Sequence, residues 1–245
     1  MPLVLPPPAA EIRVRRDVLY SGDLEADVYS PAAGGHQATI LFIHGGPVPE
    51  GAKPKGMRMF GDYGALAAAM GFTGITFNHR FFGSDIGRAA EDVEALIAFA
   101  RLQPEVDPQR LFLWAFSGGG LFLTLAFDRS DVRGAVAYYA VLDVIAREGS
   151  NAVTSAIRAR FSPLERLRAG AAVPPLFLAC AGRDLDELKA AQERFVGEAL
   201  RRNVEIELMT HPDGLHGFDI LNDDERSRSI LRRTFEFIRE HMSPM

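Results

Sequence analysis

The sequence predicts an α/β fold in which a mainly parallel sheet carries helices on both faces. Three observations point to it: short runs that are apolar at nearly every position, helical segments between most of them, and two alternating stretches near the start that fit an antiparallel hairpin. Strands buried on both faces read as unbroken apolar runs, and parallel neighbours need crossover helices. Length agrees, because 245 residues suit one α/β domain, 1–245, with a sizeable core.

Each element has its own justification. E-I-R-V-R-R-D-V-L-Y and L-E-A-D-V-Y flank S-G-D and predict the hairpin. After the break P-A-A-G-G-H come six runs: A-T-I-L-F-I-H, T-G-I-T-F-N-H, R-L-F-L-W-A-F, G-A-V-A-Y-Y-A, P-L-F-L-A-C-A and V-E-I-E-L-M-T. With the hairpin they make an expected sheet of eight strands. Helical segments are predicted over Tyr63 to Met70, Glu91 to Leu102, Gly119 to Phe127 and Asp186 to Arg201, and an amphipathic one from about Asp223 to Glu240.

Composition removes several function classes. The 27 Lys+Arg and 32 Asp+Glu leave a net charge of −5 with both signs scattered, which argues against nucleic acid as a partner. The start M-P-L-V-L-P-P-P-A-A lacks the basic and apolar segments of a signal peptide, and the 17 uncharged residues between Arg110 and Asp128 are interrupted by three glycines. A soluble chain is expected, with no membrane partner. The single cysteine, Cys180, lies in an apolar run, so it is expected to be a small core residue, and a cytoplasmic location fits.

In parallel sheets, chemistry collects in the loops beyond the carboxyl ends of the strands. The first apolar run ends in His44-Gly45-Gly46-Pro47, the third in Ser117, the fifth in Gly182-Arg183-Asp184, and the sixth is followed by His211 to His216. Ser117 stands between an apolar run and three glycines, the pattern of a sharp strand-to-helix turn that exposes a nucleophilic hydroxyl. Serine needs a base and the base needs an orienting carboxylate. Among the histidines, His36 and His241 lie far from this edge, His79 and His211 fit structural roles at strand ends, and His44 fits a hydrogen bond that holds its turn. His216, flanked by glycines in D-G-L-H-G-F, is the expected base. Asp184 is the expected acid, ahead of Asp186, which is also placed to start a helix. An oxyanion needs main-chain donors, expected from Gly118 and from Gly46, with Gly45 second to it; Pro47 has no N–H to give. His211, Asp213 and His216 fit no strong metal-ligand spacing, and no cofactor is expected.

Taken jointly, H-G-G-P, A-F-S-G-G, G-R-D and H-G-F in this order resemble the α/β-hydrolase superfamily over nearly the whole chain. Within it, G-R-D-L-D-E-L and L-H-G-F are similar to compact carboxylesterases of the dienelactone-hydrolase-like and acetyl-esterase groups. The resemblance implies a serine hydrolase that cleaves small or medium acyl esters, a small-molecule ester as its partner, and little or no cap. Dienelactone hydrolases proper carry cysteine where Ser117 stands, which argues against a dienelactone substrate. Proline iminopeptidases share H-G-G-P but continue with Gly, where this chain has Val48, and carry a larger helical cap. A serine peptidase of the same fold and a catalytically silent ligand-binding scaffold are the competing readings. The stretch Leu142 to Ala172 has room for a small lid. Lys53, Lys55 and Arg58 are candidates to attract an anionic substrate, and Arg80, Phe81 and Phe82, with His44, to line its pocket.

Overall fold

The structure is a computed structural model and describes residues 1–81, 85–144 and 155–242. Eight strands form one sheet: β1 (Ile12–Ser21), β2 (Leu24–Pro31), β3 (Gln37–Ile43), β4 (Thr73–Phe77), β5 (Val106–Phe116), β6 (Val132–Tyr138), β7 (Leu176–Ala181) and β8 (Ile206–His211). Their order is β1-β2-β4-β3-β5-β6-β7-β8. β1 and β2 pair antiparallel, β2 joins β4 antiparallel, and every later pairing is parallel.

The helices are α1 (Arg58–Ala69), α2 (Ile86–Ala100), α3 (Ser155–Phe161), α4 (Pro163–Arg168), α5 (Asp186–Arg201), α6 (Phe218–Leu221) and α7 (Glu225–Met242). Two cores lie on opposite faces of the sheet. One packs α2, α4 and α5 against Leu41, Leu113, Ala137 and Leu178; the other packs α1 and α7 against Phe42, Trp114, Val136 and Phe177. Adjacent residues such as Leu113 and Trp114 therefore belong to different cores, as strand alternation requires.

Three boundaries differ from the sequence reading, each for a local reason. α1 begins five residues before Tyr63 despite Gly61 and Gly64, because Gly64 is where the helix lies on the sheet: a Cβ there would come within 2.3 Å of the Tyr29 ring. α2 begins at Ile86, where Asp85 caps it by accepting the Arg88 N–H at 3.0 Å. The segment after β5 winds as a 3-10 helix from Ser117 itself to Ala126. α3 and α4 fall within the expected insertion Leu142 to Ala172, of which 145–154 lie outside the described residues. Among the described residues no helix is long and apolar enough to cross a membrane.

Candidate active site

β5 delivers Ser117 at the sheet's carboxyl edge, where the chain turns abruptly into the 3-10 helix. The turn forces Ser117 to φ +52°, a left-handed conformation that costs a non-glycine residue about 1–2 kcal/mol. What allows the turn is the absence of side chains behind it. A Cβ on Gly118 would lie 2.3 Å from the Gly46 carbonyl oxygen, and one on Gly119 would lie 2.7 Å from that of His44. The serine turn and the His44-Gly45-Gly46 turn thus touch main chain to main chain. Gly46 has its backbone against Gly118, whereas Gly45 backs onto Ser117 and the Phe116 carbonyl.

The loops after β7 and β8 bring Asp184 and His216 to Ser117. Gly182 N–H donates to the His211 carbonyl and Arg183 N–H to that of Gly214, both at 2.9 Å, so the two loops are laced together. Leu215 N–H donates to Asn222 Oδ1 at 2.9 Å and closes the second loop on itself. The outcome is a hydrogen-bonded chain: His216 Nε2 is 2.8 Å from Ser117 Oγ, and His216 Nδ1 is 2.9 and 3.0 Å from the Asp184 carboxylate oxygens. The Asp184 side chain is 1% exposed, against 39% for His216, so the carboxylate is shielded while the imidazole is partly open to solvent. The main-chain N–H of Leu185 also donates to Asp184, at 2.8 Å. Asp186 lies elsewhere, in the first turn of α5, solvent-exposed and paired with Lys189.

The remaining sequence candidates separate cleanly. His44 is buried with Nδ1 2.7 Å from the Gly45 carbonyl, which holds the glycine turn. Because its Nε2 accepts the His79 N–H at 3.4 Å, the proton resides on Nδ1. Phe81 is buried at the serine turn, where a Cβ on Gly46 would come within 2.4 Å and one on Gly118 within 3.1 Å of its ring. Arg80, expected as a guanidinium at the pocket, is fastened to the buried Asp92 through Nε at 3.0 Å, Nη2 at 2.5 Å and its own N–H at 2.8 Å. It also lines a cavity of about 310 Å³ with Asp23, Glu50, Lys53, Asn78, His79 and Arg88. Phe82 lies outside the described residues.

The cations of the basic loop are paired. Lys55 is buried and paired with Asp17 and Asp27, Lys53 pairs with Glu25, and Arg58 with Asp62. Sequence could not reveal this, because the partners lie in the hairpin or on a helix face fixed only by folding. Cys180 is half-buried against the core, its thiol pushed up to about 12 by burial. His211, Asp213 and His216 have separate partners, Asp224, Arg183 and Asp184. Among the described residues no group of three or more His, Cys, Asp or Glu converges as metal ligands do.

Two residues not singled out by the sequence stand beside the base. The Tyr139 ring lies 4.7 Å from that of His216, and Tyr139 donates to Asp219 at 2.8 Å. Asp219 in H-G-F-D opens α6 three residues after the base, and that spacing was the available signal.

Solved structures with this architecture include EstE1, a thermostable carboxylesterase cloned from a metagenomic library, with a TM-score of 0.77, 18% identity, and coverage of 98% of this chain and 92% of that one. The butyrate-bound esterase Est2 of Thermogutta terrifontis gives a TM-score of 0.69 at 20% identity, with 97% of each chain covered. These establish the α/β-hydrolase fold. A shorter likeness, 35% identity over 71 residues, is to the quorum-quenching protein AidA of Acinetobacter baumannii; it spans 24% of this chain and 23% of that protein. The family model of the dienelactone hydrolase family matches residues 79–242, through Ser117, Asp184 and His216, and by it the chain belongs to that family.

Proposed function

We propose that the protein is a serine carboxylesterase that cleaves small or medium acyl esters through an acyl-enzyme. The observation that carries this reading is the continuous chain Ser117 Oγ, His216 Nε2, His216 Nδ1 and Asp184, with bonds of 2.8 and 2.9 Å. Ser117 Oγ attacks the ester carbonyl carbon as its proton passes to His216 Nε2. Asp184 keeps the Nδ1–H tautomer and stabilises the imidazolium. The tetrahedral oxyanion is met by the N–H groups of Gly118 and Gly46, each such donor contributing about 3 kcal/mol of transition-state stabilisation. Collapse breaks the ester C–O bond, and the leaving alkoxide takes the proton from Nε2. Water then attacks the acyl-enzyme with His216 again as base, which releases the carboxylic acid and restores Ser117. A metal or organic cofactor has no step to serve in this scheme.

Short acyl groups are favoured by the fold relative that holds butyrate. The family name brings cyclic esters into the same class of reaction, although Ser117 occupies the place of the cysteine that marks dienelactone hydrolases proper. With one cysteine and so no internal disulfide, the protein suits a reducing cytoplasm.

The test is intact-protein mass spectrometry after fluorophosphonate treatment, followed by a panel of acyl esters, lactones and amino-acid anilides. One adduct on the wild type, none on Ser117→Ala, and turnover of the esters support the reading. Turnover of the anilides alone would replace it with a peptidase. No adduct and no turnover would leave a ligand-binding scaffold.

A further inference from the structure

His216 is held from two sides. Asp184 takes its Nδ1 edge, and Tyr139, the first residue beyond β6, lies against its ring with centroids 4.7 Å apart and planes inclined at 57°. Tyr139 sits at φ +38°, a left-handed value unusual for an aromatic residue, so the backbone is strained where it carries this ring. Its hydroxyl donates to Asp219 Oδ1 at 2.8 Å, and Tyr63 from α1 donates to Asp219 Oδ2 at 2.6 Å. Asp219 is fully buried, and both of its oxygens accept, the arrangement that suits a carboxylate anion. Its main-chain carbonyl accepts the Val4 N–H at 2.9 Å, and the left-handed Gly217 turns the chain between it and His216.

Burying a carboxylate is unfavourable unless something repays the lost hydration. Burial does raise the proton affinity of Asp219, while the two tyrosine hydroxyls and the positive form of His216 oppose that rise. The groups facing this carboxylate are Tyr63 from α1, Tyr138 and Tyr139 at the end of β6, and His216 on the preceding loop; Asp184 after β7 faces Tyr139 from the other side. Among these groups His216 alone can become a cation.

We propose that Tyr139 and Asp219 form a second brace for the base, in which the tyrosine ring fixes the plane of the His216 imidazole and the buried carboxylate stabilises the imidazolium formed when Ser117 gives up its proton. Both are positioning residues, since they act through His216. The inference rests on the hydrolase reading for its consequence in catalysis, but the electrostatic coupling is independent of turnover. An aromatic ring against a cation adds attraction on top of the charge.

The experiment compares the histidine ring resonances of isotope-labelled wild type, Tyr139→Leu and Tyr139→Phe at one pH, with His216 assigned by its loss in His216→Gln. The Tyr139 ring current displaces the His216 signals, and the displacement is lost in Tyr139→Leu and kept in Tyr139→Phe. In hydrolysis of p-nitrophenyl butyrate Asp219→Asn, which conserves shape, moves the ascending limb of kcat/KM to lower pH and reduces kcat about tenfold, with KM within about twofold. Tyr139→Leu reduces kcat by about tenfold, and Tyr139→Phe, which keeps the ring, restores it to within about threefold.

A folded Asp219→Asn whose pH limb and kcat match the wild type overturns the proposal. If that variant does not fold, the Tyr139 pair decides alone: equal kcat in the Leu and Phe variants overturns it. A wild type inert to esters and fluorophosphonate, with the expected loss of the ring-current displacement in Tyr139→Leu, would overturn the hydrolase reading and leave the brace standing.

Discussion

His44 and His79 stack face to face, their ring centroids 3.6 Å apart and their planes within 8° of parallel. His79 Nε2 lies 3.2 Å from the His44 carbonyl, so the pair locks the end of β4 to the glycine turn that faces Ser117. Neither ring can take a proton without placing a charge in the core and against its neighbour. Burial pushes His44 down from 6.5 to about 4, and burial together with His44 holds His79 well below its ordinary value.

Acid should therefore loosen the fold well before the carboxylates titrate. The unfolded chain binds these protons and the native state refuses them, so the stabilisation is fully present above about pH 6.5 and declines toward pH 4. For His44 alone the loss across that window is about 3 kcal/mol. Urea unfolding at pH 7.5, 6 and 5 measures it. His44→Asn should show a shallower dependence, and parallel curves for the two proteins would count against the stack as the cause.

Lys55 should prove a stability residue with no part in recognition. Its ammonium is 2.8 Å from Asp27 Oδ1, and the Asp27 side chain is 3% exposed. Lys55→Met leaves that buried carboxylate with the exposed Arg16, 3.2 Å away, as its remaining counterion and is expected to cost about 2–3 kcal/mol, while Lys53→Met, which breaks an exposed pair with Glu25, costs under about 1 kcal/mol. Denaturant midpoints at constant slope give both numbers.

Arg80→Met offers the direct contrast between the sequence expectation and the structure. If the guanidinium binds substrate in the pocket, its loss raises KM for carboxylate-bearing esters selectively. A guanidinium clamped on Asp92 predicts equal changes for anionic and neutral esters, with a stability loss of about 2–4 kcal/mol from the stranded acid. KM measured for a succinate half-ester and for a neutral butyrate separates the two.

Relief of strain at Ser117 should be measurable as stability. Ser117→Gly, which accepts φ +52° freely, is expected to be about 1 kcal/mol more stable than Ser117→Ala, which keeps the unfavourable Cβ. Both should lack fluorophosphonate labelling. Differential scanning calorimetry of the two variants is sufficient, and equal melting temperatures would mean that the turn is not strained.

The sheet and its functional edge were legible because they are written in local pattern. Apolar runs ending in H-G-G-P, S-G-G-G, G-R-D and H-G-F placed Ser117, Asp184 and His216 on one edge, and the structure brings those three side chains within hydrogen-bond reach. Long-range pairing was not legible. Lys55 and Arg80 looked like free cations because Asp27 and Asp92 declare themselves only after β2 and α2 have packed. Tyr139 and Asp219 were hidden for the same reason: a tyrosine ending a strand and an aspartate opening a short helix are ordinary until the fold sets one against His216.

The contact of Gly118 and Gly119 with the carbonyls of Gly46 and His44 has a consequence for how this scaffold changes over time. At these two points the turns meet through main-chain atoms, which leaves no side chain there for mutation to vary. Drift and laboratory evolution can therefore change a neighbouring ring such as Phe81 before they change the spacing of the turns. The distance between the two turns stays with the backbone, inherited unchanged from one variant to the next.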